Sequence, residues 1–370
     1  LDVRVDTFDE PMSRRRFLQG MAVAAQATML GASGTEPALA APEACGRLPR
    51  GSRLRDVARQ KLHHDGGRFT NPFCAEGYRR PLDLLRWKLF SKNRYKHLYP
   101  NEAERPVDID WPAVMNRDGL SVTFINHASV MIRDPAGSFL VDPIFFGLLP
   151  FIHDFSPIAF DVAVMPRPDA VLITHGHYDH LDKPSLQALG PRQAVIAPPG
   201  YGSIFDEIGL EKQTVLDWFD TAAVGDWQVT LVPAHHWTMR NPFAGPNTAL
   251  WGGYLLRSPV GRTIYLSGDT GYFDGFADIG READIDLAIV NLGAYAPRWF
   301  MARSHMDPAQ AVRAFKELGA SRLMAVHWGA FRLGDEPVYL PPVELAREMA
   351  GAGLSDQLVH LEPGQTLFLD

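Results

Sequence analysis

Directly behind the apolar run Ala170-Val171-Leu172-Ile173, three histidines and two aspartates fall within the eight positions 175–182. The run is short and continuous rather than alternating, which reads as a buried strand. A strand ending in such a cluster is a candidate metal site. Neutral imidazole and carboxylate are the nitrogen and oxygen ligands of zinc and its neighbours, and a strand-to-loop turn lets residues two and three apart converge on one point. His175 and His177 can grip one ion while Asp179 and His180 turn towards a second.

The pattern recurs downstream. Strand-like residues 227–233 deliver Ala234-His235-His236-Trp237, and those at 250–256 and 263–266 deliver Ser267-Gly268-Asp269-Thr270-Gly271. Leu287-Ala288-Ile289-Val290 delivers Asn291, and residues 322–326, behind an expected helix over 308–318, deliver His327-Trp328-Gly329. Upstream, residues 122–125, 130–132 and 139–141 are short runs joined by turn residues, as in a sheet built by hairpins. A short helix is expected over 184–189 and a strand over 194–197. Polar residues thus sit repeatedly at the C-terminal ends of apolar strands, where the ligands of layered α/β proteins gather. Singly each is weak: a lone histidine after a strand is more often structural, and Gly-Asp-Thr-Gly is also a turn sequence.

Length and composition set outer limits. With 370 residues, 46% hydrophobic and 21% charged, the chain is of ordinary globular composition. Residues 1–40 stand apart. Ser13-Arg14-Arg15-Arg16-Phe17-Leu18, a weakly apolar stretch over 21–32 and Ala38-Leu39-Ala40 read as a twin-arginine export signal with an A-x-A cleavage site, so a periplasmic location is expected. The stretch is too short and too rich in Ala, Gly and Gln to span about 30 Å of hydrocarbon. Only Cys45 and Cys74 are present, neither near a histidine-rich motif, which argues against thiolate ligation and leaves a single disulfide open.

Residues 41–119 read as a basic N-terminal extension. Residues 41–100 carry fourteen Lys and Arg against five acids, a net +9, whereas residues 101–370 carry −15. Such asymmetry fits an extension packed across an acidic body, the favoured reading, or one facing anionic lipid headgroups at a membrane surface. Residues 81–90, with Leu82, Leu84, Leu85, Trp87 and Leu89, read as an amphipathic helix that serves either. The uncharged stretch 144–152, IFFGLLPFI, reads first as a buried loop or strand; the sharper reading is an apolar lip beside the site that meets a lipid substrate, with Trp299-Phe300-Met301 on the same surface. The mature chain is mildly acidic and no nucleic-acid partner is expected.

Together the motifs are specific. An HxHxDH cluster followed by a strand-end His, a strand-end Asp and a strand-end His resembles the ligand order of the metallo-β-lactamase fold superfamily, over residues 120–369. Within it the chain is similar to the N-acyl-phosphatidylethanolamine phospholipase D-like branch. The matches are Arg68-Phe69-Thr70-Asn71-Pro72, Tyr178 inside the cluster, Leu216-Asp217-Trp218, Gly268-Asp269-Thr270-Gly271-Tyr272, Gly293-Ala294-Tyr295-Ala296-Pro297-Arg298-Trp299-Phe300-Met301 and Val326-His327-Trp328-Gly329. Asn126 departs from the pattern where relatives often carry Gly. The resemblance implies an α/β fold, a four-layer αβ/βα sandwich over residues 120–370 with metals at one edge. It further implies one ion on His175, His177 and His236, a second on Asp179, His180 and His327, and Asp269 bridging them. His235 is the alternative to His236, which the Pro-Ala-x-His-Trp pattern favours. Two divalent ions are implied, zinc first, with iron and manganese as alternatives. His177, where redox di-iron relatives are expected to carry glutamate, favours hydrolysis.

Two such ions about 3.5–4 Å apart lower the pKa of water from about 15.7 towards 7 and draw charge off a phosphoryl or carbonyl oxygen, so the ligands define the reaction type and not the substrate. The branch resemblance implies a small-molecule or lipid-like phosphodiester. A lactonase or other carbonyl hydrolase is the alternative on the same site. A non-catalytic metal-binding protein is the second alternative, disfavoured because binding alone needs no bridging carboxylate. Asp269 and Asp179 are the candidate catalytic carboxylates, and His305 the candidate for protonating a leaving group. Asp182 either orients a ligating imidazole or caps a helix. His127 lines the pocket or packs, with packing favoured; His63, His64, His97, His153 and His360 have no partner motif and read as ordinary.

Overall fold

A strand that is apolar at consecutive positions must be covered on both faces, and the chain achieves this with two stacked sheets and helices outside each. A computed structural model describes Leu48 and residues 51–73 and 81–369. The export-signal segment, Cys45 and Cys74 lie outside the described residues. A small hairpin, β1 (His64–Asp65) and β2 (Arg68–Phe69), precedes the sheets.

The first half of the body forms β3 (Leu120–Asn126), β4 (Ser129–Asp134), β5 (Gly137–Val141), β6 (Ala170–Leu172), β7 (Ala194–Ala197) and β8 (Lys212–Val215). The second half forms β9 (Thr221–Val224), β10 (Trp227–Val232), β11 (Gly253–Arg257), β12 (Thr263–Leu266), β13 (Leu287–Asn291), β14 (Arg322–Val326) and β15 (Leu358–Val359). The last strand, β16 (Thr366–Leu369), returns to the first sheet and pairs antiparallel with β3. The sheets are ordered β16-β3-β4-β5-β6-β7-β8 and β9-β10-β11-β12-β13-β14-β15, seven strands each. Both follow one plan, three antiparallel pairings and then three parallel ones. The turns that carry the candidate ligands follow the C-terminal ends of β6, β10, β12 and β14.

Alternation along the first sheet assigns its two faces. Val122, Phe124, Val130, Ile132, Phe139 and Leu172 pack inwards with Trp227, Val229, Leu231 and Tyr254 of the second sheet. Ile125, Met131, Leu140, Val171 and Val195 point outwards and are covered by Leu186 and Phe205 of the helices Lys183–Ala188 and Gly202–Glu207. On the far side, Ala311, Phe315 and Leu318 of helix Pro308–Leu318 and Leu345 and Met349 of helix Leu340–Gly351 join the main core. The result is the four-layer sandwich. The strand expected over 250–256 starts only at Gly253, and helix Leu340–Gly351, which opens with two prolines, left no clear periodic signal.

The described part of the extension packs on this body. Leu54, Val57 and Phe73 enter the main core, and Arg55, Lys61 and Arg105 pair with Glu282, Asp217 and Glu362 at 2.5, 2.6 and 3.4 Å. Helix Pro81–Phe90 turns Leu84 and Trp87 onto Ala294, Phe300 and Met301, while Leu82, Leu85, Leu89 and Phe90 remain exposed. In the apolar stretch, Ile144 and Phe145 are buried and Phe146 and Phe151 are exposed, so it is half core and half surface. Among the described residues no helix is long and apolar enough to cross a membrane.

Candidate metal centre

Four turns at one edge bring the sequence-predicted residues together. His175 and His177 leave β6 on either side of Gly176, and His236 follows β10. His177 Nδ1 lies 2.9 Å from His175 Nε2 and 3.2 Å from His236 Nε2. Asp269, three residues past Leu266 at the end of β12, presents Oδ2 at 3.8 Å from both His175 Nε2 and His236 Nε2. A second group lies alongside. Asp179 Oδ2 is 3.6 Å from His180 Nε2 and 3.3 Å from His327 Nε2. Asp269 faces this group too, with Oδ2 3.3 Å from His180 Nε2 and Oδ1 3.3 Å from His327 Nε2. One carboxylate therefore stands between two clusters of donors.

These residues fit metal. Buried side-chain nitrogens in folded proteins almost always have a partner. His180 Nε2 and His327 Nε2, both aimed at Asp179 and Asp269, are buried with none. Within each group, His175, His177, His236 and Asp269 in one and His127, Asp179, His180 and His327 in the other, the donor atoms all lie within 4.8 Å of one another. Convergent nitrogen and carboxylate donors with unfilled hydrogen-bonding capacity are the arrangement a divalent cation completes.

A layer of further side chains orients the donors. Asp142 Oδ2, at the end of β5, lies 2.7 Å from His180 Nδ1, while Thr174 holds Asp142 through its amide at 2.8 Å and its hydroxyl at 2.5 Å. His236 Nδ1 donates to the carbonyl of Ser304 at 3.1 Å, leaving the Nε2 lone pair directed at the site. Asn291, last residue of β13, donates from Nδ2 to Asp269 Oδ1 at 2.9 Å. The backbone is bent to achieve this. His127, Asp142 and His327 adopt φ of 43°, 40° and 69°, a left-handed region costly for non-glycine residues. Gly293 permits the approach of β13 to the His327 turn, because a Cβ there would sit 2.1 Å from the carbonyl oxygen of His327.

Electrostatics match the geometry. Burial lowers His175 and His236 well below the usual imidazole range and His177 and His127 to about 4, so these rings are neutral, the form that ligates. Burial alone would raise Asp179 and Asp269, but the surrounding histidines hold both well below the carboxylate range. His180 is raised well above the imidazole range; burial opposes this, and Asp269, Asp179 and Asp142 overcome it. Three carboxylates around one ring call for positive charge.

The structure decides several open alternatives. His235 turns away, its Nδ1 3.4 Å from the carbonyl of Tyr272 and its ring edge-on to Phe73, so His236 is the residue at the site. His305 reaches the centre, with Nδ1 3.8 Å from Asp269 Oδ2. Asp182 accepts from the Ser185 amide at 3.0 Å and caps helix Lys183–Ala188, touching no ligand. One expectation is corrected. His127 is not merely packed: its Nε2 lies 3.1 Å from Asp179 Oδ2 and its ring centroid 4.1 Å from that of His327, because the left-handed turn at His127 swings the ring into the centre. His63 and His64, for which the sequence offers no partner, have one in Asp217, whose two oxygens lie 2.7 and 2.8 Å from their Nε2 atoms. Asp142 and the Ser304 carbonyl were missed, and Asn291 was placed at a strand end without a role, although Asp142 and Asn291 end apolar strands as the recognised residues do.

Two mixed sheets sandwiched between helices, with paired histidine and aspartate clusters at one edge, define a metal-dependent hydrolase of the sandwich class. Residues 138–328 match the family model described as the beta-lactamase superfamily domain, and the chain belongs to that superfamily. It falls in the N-acyl-phosphatidylethanolamine phospholipase D-like branch. An uncharacterized protein of Mycobacterium tuberculosis is 31% identical over 309 residues, covering 79% of this chain and 80% of that one. An N-acyl-phosphatidylethanolamine-hydrolyzing phospholipase D of Caenorhabditis elegans is 28% identical over 256 residues, covering 64% of this chain and 71% of the relative. Among solved structures, the metallo hydrolase Igni18 of Ignicoccus hospitalis shares the fold, with a TM-score of 0.53, 19% identity and coverage of 68% of this chain and 98% of that one.

Proposed function

We propose that this protein is a dinuclear hydrolase that cleaves a phosphodiester bond in a lipid-like molecule. The observation that carries the reading is the position of Asp269, within 3.8 Å of His175 and His236 on one side and 3.3 Å of His180 and His327 on the other. His175, His177 and His236 would hold one divalent ion and Asp179, His180 and His327 the other. The chemistry such ions supply is activation of water at neutral pH and withdrawal of charge from a phosphoryl oxygen.

The chain's own residues then have distinct tasks. Asn291 holds Oδ1 of Asp269 and so fixes the rotation that leaves Oδ2 between the two clusters. Asp179, flanked by His127 and His327, stays ionised and balances the second group's charge. His305, beside Asp269 and partly open to solvent, gives a proton to the departing alkoxide. The relatives named for N-acyl-phosphatidylethanolamine hydrolysis in Caenorhabditis elegans and in Saccharomyces cerevisiae, the latter 29% identical over 246 residues, support a phospholipid-like diester.

A lipid surface is supported by exposed apolar residues beside the site. Leu82, Leu85, Leu89 and Phe90 project from helix Pro81–Phe90, and Phe146 and Phe151 from the neighbouring lip. Leu333 packs against both the cluster of Trp87 and that of Ile144, which supports reading helix and lip as one surface. The twin-arginine segment supports export of the folded, metal-loaded chain to the periplasm. The test is turnover of bis-p-nitrophenyl phosphate against a panel of lactones by the metal-loaded protein. Preference for the diester is expected; turnover of lactones alone would give the site to carbonyl chemistry.

A further inference from the structure

The segment Arg68-Phe69-Thr70-Asn71-Pro72 lies outside both large sheets and supplies no donor to the centre, yet its hydrogen bonds lead there. Asn71 Nδ2 donates to the main-chain carbonyl of His236 at 3.1 Å. Arg68 donates to the carbonyls of Pro246 and Ala244, each at 2.6 Å, and the Phe69 amide donates to the carbonyl of Asn247 at 2.8 Å. Asn247 is tied to Thr238 twice, by its amide to the Thr238 carbonyl at 2.7 Å and by its side-chain oxygen to the Thr238 amide at 3.1 Å. The Thr238 hydroxyl accepts from the amide of Gly176 at 3.2 Å. Gly176 separates His175 from His177, and a Cβ there would meet the Tyr201 ring at 2.6 Å and Thr238 Oγ1 at 3.0 Å. Hydrogen bonds thus run from residues 68–71 to the backbone of His236 and to Gly176, the residue between His175 and His177.

The segment is itself anchored. The Thr70 amide donates to the His63 carbonyl at 2.9 Å, and His63, His64 and Lys61 converge on Asp217 at 2.7, 2.8 and 2.6 Å. The second group is held from another side of the molecule. Asp142 of the β5 end holds His180, and the β3–β4 turn holds the rest: His127 Nε2 meets Asp179, and the His327 amide donates to the His127 carbonyl at 2.6 Å.

We infer that Arg68 and Asn71 are positioning residues for the His175–His177–His236 group, so that the N-terminal extension sets one of the two metal sites and leaves the other alone. The inference rests on the metal assignment proposed above. Loss of the Asn71 amide leaves the His236 carbonyl unpaired and frees the turn that carries the ring. Loss of the Arg68 guanidinium frees the 244–247 loop and, through Asn247 and Thr238, the Gly176 turn. Groups that orient a ligand in this indirect way typically change metal affinity about 10–100-fold.

Cobalt(II) titration of the metal-stripped full chain tests this, read by d–d absorption and by metal bound after gel filtration. The variants are Asn71→Ala and Arg68→Met, with Asp142→Asn as the converse. Two equivalents are expected for the unmodified protein. In Asn71→Ala and Arg68→Met one binding step should weaken about 10–100-fold and the other should change less than about twofold. Asp142→Asn should weaken the opposite step the more, because Asp142 bonds His180 directly and reaches His175 only through the Thr174 hydroxyl, and its combination with Asn71→Ala should weaken both. Equal weakening of both steps, or unchanged binding accompanied by a lower melting temperature, would overturn the inference and leave the segment a stabilising strap. Should Asn71→Ala fail to fold, Arg68→Lys keeps one donor and must still shift the same step, by less. Fewer than two equivalents in the unmodified protein would instead refute the dinuclear assignment itself.

Discussion

Asp142 Oδ2 lies 2.7 Å from His180 Nδ1, and both groups are fully buried. A carboxylate behind a ligating imidazole fixes the ring's orientation and raises its basicity. Asp142→Asn keeps an oxygen for the Thr174 amide but weakens the hold on His180. Zinc affinity at the second group should fall about 10–100-fold by competition titration. Unchanged affinity would mean that His180 is oriented by something other than Asp142.

His305 Nδ1 is 3.8 Å from Asp269 Oδ2, close enough to serve the leaving group without ligating. General acid catalysis by a positioned side chain contributes about 10²–10⁴-fold. His305→Ala should therefore lower kcat on an alkyl phosphodiester by about 10²-fold or more, and much less on a p-nitrophenyl ester, whose leaving group needs no proton. Equal losses on the two substrates would point to a binding role.

Glu336 is buried beneath the Tyr295 and Ala296 amides, which donate to it at 3.0 and 2.9 Å. Burial outweighs these bonds and pushes its carboxyl up to about 7. Between the ordinary glutamate range and pH 7 the native state retains a proton that the unfolded chain has released, so stability falls as pH rises through this window. The full loss is about 3 kcal/mol. Denaturant midpoints from pH 5 to pH 8 should decline, and Glu336→Gln should flatten the decline. An equally steep decline in the variant would assign the effect elsewhere.

Leu82, Leu89 and Phe90 are each more than half exposed on one helix. Burying three such side chains in a bilayer interface is worth several kcal/mol at about 25 cal/mol per Å². The mature chain should sediment with anionic vesicles at low salt, and the triple substitution to serine should reduce the bound fraction about tenfold or more. No binding by the unmodified protein would remove the membrane face from the proposal while leaving the chemistry intact.

The donors were legible in the sequence because a metal demands particular atoms. Histidine and aspartate at the ends of apolar runs stand out from the Gly, Asn and Pro of ordinary turns, and the HxHxDH spacing fixed His175, His177, Asp179 and His180 together. The orienting residues were not legible for the converse reason. Asp142 before Pro143 and Asn291 before Leu292 look like turn residues, and the Ser304 contribution is a main-chain carbonyl with no sequence signature. Asp182 had the chemistry of an orienting residue but sits where a helix needs a cap, and the local bond to Ser185 won. His127 was undervalued because its role depends on a left-handed backbone that no sequence pattern announced. His63 and His64 lie more than 150 residues from Asp217 in the chain, and only the packing of the extension brings them to it.

Metal content measured together with diester turnover bears most directly on the dinuclear hydrolase. The purified chain should carry two ions and cleave bis-p-nitrophenyl phosphate. Chelation should abolish the activity and re-addition of zinc restore it, and Asp269→Asn should lower turnover by about 10³-fold or more while weakening both ions at once. A single ion per chain, or diester turnover that survives the loss of Asp269, would contradict a centre built around that carboxylate.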